Sequence, residues 1–475
     1  MKTLRNAVIA IFAGLILMIS CKKSDIALPK SEANIDSIAS KYYEGYLKMY
    51  PLEATMQGDS RYNDLLSNNI SSEFISKEIE FYTDTQKKLK SIDYDDLSDE
   101  QKTVYDVLDY TLKDKIERYA YHPELLPFSQ FEGLPLDFPL LGSAEGNQPF
   151  KTTKDYDNWL KRIDAFVIWM NTAEKNFREG MKQNVVLPKK LVVKMIPQMH
   201  SEEIITEDFD KNIFYGPIKK MPKNFSVKDK EKYKILYQEA ISSKIIPAYQ
   251  KMGDFLEKEY LPKARNTDGI NALPNGKNIY EYYAKSWTTT NKTPEEINKI
   301  GLQQVAMLRA EMEKVKTQLG FKGSLEEFLT SLKTDKKAMP YKTPEEVIAA
   351  FNGILKKIEP KLPSMFSKFP KTPFEIRRTE KFREASASAE YKQGTPDGKR
   401  PGIFYTPIPD ATKYNVTNGF ESLFLHEAIP GHHYQVSLQQ ENTEIPKFMR
   451  FGWFGAYGEG WAHYTETLGP EFGLY

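Results

Sequence analysis

Of the six histidines in this 475-residue chain, His426, His432, His433 and His463 lie close together near the carboxy end. Histidine is the commonest metal ligand and the side chain that titrates nearest neutral pH. The stretch Phe420-Glu-Ser-Leu-Phe-Leu-His426-Glu427-Ala-Ile-Pro-Gly-His432-His433-Tyr-Gln435 has two halves. An apolar run ends in His426-Glu427, and a Pro430-Gly431 break leads straight into two more histidines. In a His-Glu-x-x-His helix the histidines stand one turn apart, share a metal ion, and leave the Glu to act on water as general base. Here position i+4 is Pro430, and the next histidines are at i+6 and i+7. An unbroken helix would set them about 9 and 10.5 Å along its axis from His426. That is too far for one ion with bonds of about 2.0–2.1 Å. Either no metal is shared, or the helix breaks at Pro430-Gly431 and His432 folds back to the place of i+4.

A second motif, Gly458-Glu459-Gly-Trp461-Ala-His463-Tyr464-Thr-Glu466, puts Glu459, His463 and Glu466 on one helical face. Glu459 suits the third ligand of a two-histidine zinc site whose fourth position is left for water. His463 is expected to orient a ligand, to stabilise an oxyanion or to bind the ion itself. For His433 taken alone, a hydrogen-bonded place in the core is the better expectation. The set predicts a hydrolase with one zinc ion, held by His426, His432 and Glu459, with Glu427 and His463 as catalytic groups and a peptide or amide as substrate. The reading from another class is a lipid-anchored binding or scaffold protein whose metal site does no chemistry.

These two motifs resemble those of the bacterial family known as domain of unknown function 885, within the zincin-like metallopeptidase group. Supporting segments are Thr288-Thr-Thr-Asn-Lys-Thr-Pro-Glu-Glu296, Asp397-Gly-Lys-Arg-Pro-Gly-Ile-Phe-Tyr405, and Pro51-Leu-Glu-Ala-Thr55 with Gly58-Asp59. The resemblance implies a mainly α, large multi-helical zincin-like fold, with His426, His432 and Glu459 as ligands and Glu427 as base. It also implies further helices beyond the second motif. A chain ending at Tyr475 is therefore expected to be shortened at its carboxy end, without part of the site wall.

The elements that must carry these residues follow from composition and pattern. Hydrophobic residues make up 40% of the chain and aromatics 13%, enough for a large core and against disorder. With 66 basic and 65 acidic residues there is no cationic surplus to meet a phosphate backbone, so no nucleic-acid partner is expected. Residues 1–20 read as a lipoprotein signal peptide: Lys2 and Arg5, an apolar run from Ala7 to Ile19, then Cys21, the chain's only cysteine. Cys21 is the expected lipidation site, residues 21–33 a tether, and residues 34–475 one helical metallopeptidase domain. The expected location is the cell envelope, lipid-anchored at the outer membrane of a Gram-negative bacterium after export.

Helical spacing predicts helices from Glu32 to Tyr50, Phe74 to Ile92, Ser98 to about Arg118, Tyr156 to Gln183, and Asp229 to Glu257 with a kink at Pro247. Thr293-Pro-Glu-Glu296 and Thr343-Pro-Glu-Glu346 place Thr at N-cap, Pro at N1 and Glu at N3. The Pro-rich stretch from His122 to Phe150 reads as irregular, and Val185 to Met195 as a short strand. Gly402-Ile-Phe-Tyr-Thr406 is the strongest strand candidate, with room in principle for an extended peptide to pair beside it. His122 and His200 are expected to be structural and surface residues respectively.

Overall fold

The computed structural model describes residues 34–385, 387–417 and 419–475. The segments expected to be signal peptide and tether, with Cys21, lie outside the described residues. Helix accounts for 64% and strand for 3%, so the chain is mainly α. Among the described residues, no helix is long and apolar enough to cross a membrane.

We number the α-helices of six residues or more. The first group is α1 (Ile35–Met49), α2 (Pro51–Met56), α3 (Ser72–Leu89) and α4 (Asp99–Arg118). Next come α5 (Leu134–Gly142), α6 (Thr153–Lys182), α7 (Lys189–Met199), α8 (Val227–Ala240), α9 (Ile246–Phe255) and α10 (Gly276–Thr288). Then α11 (Pro294–Gln318), α12 (Leu325–Thr334) and α13 (Pro344–Ile358) lead to three short strands, β1 (Phe374–Arg378), β2 (Glu390–Lys392) and β3 (Gly402–Thr406). The histidine region forms α14 (Phe420–Glu427), α15 (His432–Glu441) and α16 (Gly455–Glu466).

Capping chemistry fixes many of these starts. Ser98 accepts a hydrogen bond from the Gln101 backbone N–H while the Gln101 side chain accepts one from Ser98, and Thr293 with Glu296 does the same. Two expectations are corrected. Val185 to Met195 is not a strand: Pro188 supplies an extended residue paired with Arg265, and helix α7 begins directly after it. Within the Pro-rich stretch, Pro135 sits in the first turn of α5, where its missing N–H costs nothing. The kink expected at Pro247 is a five-residue π turn, Ile241–Ile245, ending just before it. Helix α11 carries Ile297, Ile300, Val305, Leu308, Met312 and Val315 at helical spacing, yet none of its residues is buried, and Val305 and Leu308 are more than half exposed.

Three apolar clusters hold the elements together. The largest joins α5 to α9 around Trp159, Phe166 and Phe138, with the Phe138 and Phe166 rings stacked at 4.0 Å. A second joins α1, α3 and α4, and takes in Phe448 from the carboxy-terminal region. A third gathers Phe351 of α13, Phe404 of β3, and Phe420, Phe424 and Leu425 of α14. This last cluster buries one face of α14 and so sets the direction in which His426 points.

Arg162 fastens α2 to α6. It is fully buried, and its guanidinium donates to the Leu65 carbonyl at 3.0 Å and to Thr55 Oγ1 at 2.7 Å, and also to the carbonyls of Pro51 and Tyr62. Burial lowers its pKa to about 10, which leaves it charged at neutral pH. Arg162→Ala would strand several buried acceptors. We expect a loss of about 3 kcal/mol or more in denaturant unfolding, since each hydrogen bond to a charged group is worth about 1.5–3 kcal/mol. An unchanged unfolding midpoint would contradict this role.

The sheet has the order β1-β3-β2, with β1 parallel and β2 antiparallel to β3. All five residues of β3 are buried. With neighbours on both sides, β3 has no free edge, so a peptide cannot pair beside it. The outer strands are β1 and β2; of these β2, which spacing alone does not reveal, lines the cleft described below.

Candidate metal centre

Helix α14 stops at Glu427. Ala428 leaves the helical region (φ −104°, ψ −111°), the Ile429–Pro430 bond is cis, and α15 begins at His432. Pro430 has no N–H to continue the ladder and biases its predecessor away from helix. Trp461 of α16 donates its indole N–H to the Pro430 carbonyl at 2.8 Å, and Thr465 donates its hydroxyl to the Leu425 carbonyl at 2.8 Å. These two bonds tie α16 to both sides of the break. Gly431 passes so close to α14 that an added Cβ would lie 1.9 Å from the His426 carbonyl oxygen. The break therefore requires glycine for space rather than for an unusual φ.

The fold-back brings His432 beside His426, with ring centroids 4.7 Å apart. Glu459 closes the group: its Oε2 is 3.4 Å from His426 Nε2 and 3.5 Å from His432 Nε2. The three ligand atoms all lie within 4.8 Å of one another. A tetrahedral zinc site with bonds of about 2.0–2.1 Å has ligand–ligand edges of about 3.3 Å, so the spacing and the N, N, O donor set fit zinc. His426 Nδ1 lies 2.9 Å from Glu466 Oε1. This carboxylate holds the proton on Nδ1 and leaves the Nε2 lone pair facing Glu459. Burial pushes the His432 pKa down to about 4, with His426 adding to the shift, so His432 is neutral, as coordination demands.

Glu427 is 8% exposed and lies in the wall of the same cleft. Burial pushes its carboxyl up to about 7; Glu459 and Glu390 add to this, against the pull of His426 and of a backbone hydrogen bond from Tyr391. A carboxyl that titrates near neutrality can both take and return a proton there. The cleft has a volume of about 420 Å³. Beyond the cluster, its walls are Met56 of the amino-terminal layer, Asn147, the β2 edge from Glu390 to Lys392, and Trp453.

His433 points elsewhere. It is 1% exposed, packs against Phe374, and its Nδ1 is 3.1 Å from the Tyr391 hydroxyl. Burial lowers its pKa to about 4. A Cβ on Gly402 would fall 2.6 Å from His433 Nδ1, so this histidine seats α15 on the sheet. His463, expected to be catalytic, does not line the cleft; its side chain is 80% exposed and its Nδ1 is 3.4 Å from Glu466 Oε1. Of its three expected roles, this placement favours orienting a ligand, through Glu466. Sequence spacing placed Glu466 on the right face without giving it a partner. It gave no sign of Met56, Asn147 or β2, which reach the cleft from distant parts of the chain. His200, expected at the surface, meets Asp254 and Glu257, with ligand atoms within 4.8 Å of one another. Asp254 is already paired with Lys258 at 3.0 Å.

Glu466→Gln keeps the shape and removes the charge behind His426. We expect zinc affinity to fall about 10–100-fold in chelator competition, the usual cost of losing such a support. Unchanged affinity would show that Glu466 does not set the ligand.

The family model for bacterial proteins of unknown function, DUF885, matches residues 51–475. The chain belongs to this family. Among curated proteins no match is found. Two solved structures share the fold. One is described as a "putative lipoprotein" from Colwellia psychrerythraea, with a TM-score of 0.83 and 22% identity over 93% of this chain and 78% of that one. The other is a "putative lipoprotein of unknown function" from Shewanella oneidensis, with a TM-score of 0.63 and 17% identity over the same shares. At these identities the likeness is one of fold, so the DUF885 chain's chemistry must be argued from its own residues.

Proposed function

We propose that this DUF885 protein is a zinc-dependent hydrolase of peptide or amide bonds, of the zincin-like metallopeptidase kind. The observation that carries this reading is the meeting of His426, His432 and Glu459 at an open cleft, beside a buried Glu427. These three side chains would hold one zinc ion, which when bound supplies Lewis acidity toward the scissile carbonyl and lowers the pKa of water. Glu427 takes the proton from the attacking water and returns it to the departing amine. Glu466 fixes the orientation of His426, and His463 braces Glu466. The edge strand β2 presents backbone to an extended substrate, the role first expected of β3. We further propose that the protein is exported and lipid-anchored at Cys21 in the cell envelope; the fold it shares with two proteins described as putative lipoproteins supports this.

The test is a peptide and acyl-amide library offered to the full chain with zinc. Turnover is expected, with loss on chelation and recovery when zinc is returned. Stoichiometric metal without turnover on any substrate would overturn the hydrolase and leave a metal-binding envelope protein.

A further inference from the structure

Glu466 stands behind one of the two histidines, His426. Among the described residues, Nδ1 of the other, His432, is buried and makes no hydrogen bond. If Nε2 is to hold an ion, Nδ1 must carry the ring proton, and it becomes a donor without an acceptor. Metal-bound histidines almost always give that proton to a carboxylate, a carbonyl or water. A matching acceptor stands on the same helix. Gln435 follows His432 by three positions in α15, and each residue is only 7% exposed. Side chains at i and i+3 lie on one helical face, and the later one leans back over the earlier. Among the described residues, Gln435 Oε1 also lacks a partner. A buried donor and a buried acceptor, each alone, therefore share one face of α15 within a turn.

The surrounding amides fix which atom of Gln435 is left open. Gln439, one turn further on, donates its side-chain nitrogen to the carbonyls of Met449 at 2.6 Å and Gly452 at 2.9 Å. A carbonyl can only accept, so the nitrogen of Gln439 faces those two and its oxygen faces Gln435. Gln435 therefore gives its nitrogen to Gln439 Oε1, at 2.6 Å, and its own oxygen turns away from that bond. The far end of this relay is anchored in packing. Phe448 and Met449 belong to the apolar cluster of α1, α3 and α4. Trp453, next to Gly452, sets its ring centroid 5.6 Å from that of His432. A buried acceptor left open costs stability, and an apolar side chain of the same length would avoid that cost. The oxygen of Gln435 is thus an expense that bracing alone does not explain.

We propose that Gln435 is the positioning residue for His432, accepting the Nδ1 proton directly or across one water when Nε2 binds the ion. The role rests on the zinc-site reading and deepens it. His426 takes its support as a carboxylate from another helix, α16. His432 takes its support as a neutral amide from its own helix, braced through Gln439 on the turn that carries Met449 and Gly452.

The test is zinc affinity by chelator competition on the full chain, with thermal unfolding of the metal-free protein beside it. Gln435→Met keeps the length and removes both amide atoms. Gln435→Glu keeps an acceptor for His432 but gives up the donor to Gln439. Without zinc, both variants should melt below the parent. We expect zinc affinity to fall about 10–100-fold in Gln435→Met, the usual cost of losing such a support, and to be largely restored in Gln435→Glu. A brace that acts only through Gln439 would be lost equally in both. In the zinc-loaded parent, NMR of isotope-labelled histidine should place the His432 Nδ1 proton downfield, as a hydrogen-bonded proton, and further upfield in Gln435→Met. Equal losses of affinity in the two variants, unchanged affinity in Gln435→Met, or the same proton shift in parent and Gln435→Met would overturn the role. If Gln435→Met fails to fold, Gln435→Glu decides alone: near-parental affinity supports the role, and a fall in step with the melting point overturns it. A parent that binds no zinc overturns the site and this role with it. Zinc binding without turnover overturns only the hydrolase, and the comparison of variants still stands.

Discussion

Glu427→Gln should lower kcat by about 10²–10⁴-fold, the usual contribution of a positioned general base, with zinc content unchanged. The side chain touches the cleft but is not one of the three groups that meet at the ion's place. Its amide analogue keeps size and shape and loses only the ability to take a proton. The same substitution relieves a buried carboxyl whose pKa is pushed up to about 7, so folding stability should hold or rise slightly. The measurement is kcat with zinc analysis and thermal unfolding on one preparation. Retained activity would remove Glu427 from the chemistry. Loss of activity together with loss of zinc would make it a structural support instead.

Gly431→Ala should be the most damaging small change in the site. Its Cβ would lie 1.9 Å from the His426 carbonyl oxygen and 2.2 Å from that of Leu425. Both are backbone atoms, so no side-chain rotation relieves the clash; α14 and α15 must move apart. Overpacking of this kind costs about 1–3 kcal/mol. The shift also carries His432 away from His426, so zinc affinity should fall more than tenfold, by an increment of about 1.4 kcal/mol or greater. Gly460→Ala on α16 is the matched control, because nothing lies within 4 Å of the Cβ it would add. A Gly431→Ala protein with normal melting and normal zinc affinity would show that the fold-back has slack it is not expected to have.

Much of the architecture was legible because it is written locally. Ser98, Thr293 and Thr343 each announce a helix start through a hydrogen bond spanning three residues, and each helix begins there. Pro430-Gly431 announced the break at His426 for the same reason. Local pattern misled where packing decides. The run Leu191-Val192-Val193 favours strand by propensity, but Val192 and Met195 are buried at helical spacing against the core formed by α5 to α9, and helix wins. Periodicity gave α11 an apolar face, and among the described residues that face is exposed; spacing says that a face exists, not what covers it. Strands β1 and β2 are short and charged, and they exist because β3 offers them its two edges. In the site, ligand types could be read from two motifs. The walls could not, because Met56, Asn147 and Glu390 reach the cleft only through tertiary folding.

The most direct test of the account is the zinc stoichiometry and X-ray absorption spectrum of the full chain, beside His432→Ala. One zinc per chain is expected, with two imidazole nitrogens and a carboxylate oxygen in its shell. One imidazole should vanish, and affinity collapse, in the variant. A protein without stoichiometric zinc, or a spectrum and affinity unmoved by the loss of His432, would contradict the claim that the Pro430-Gly431 break builds a metal site.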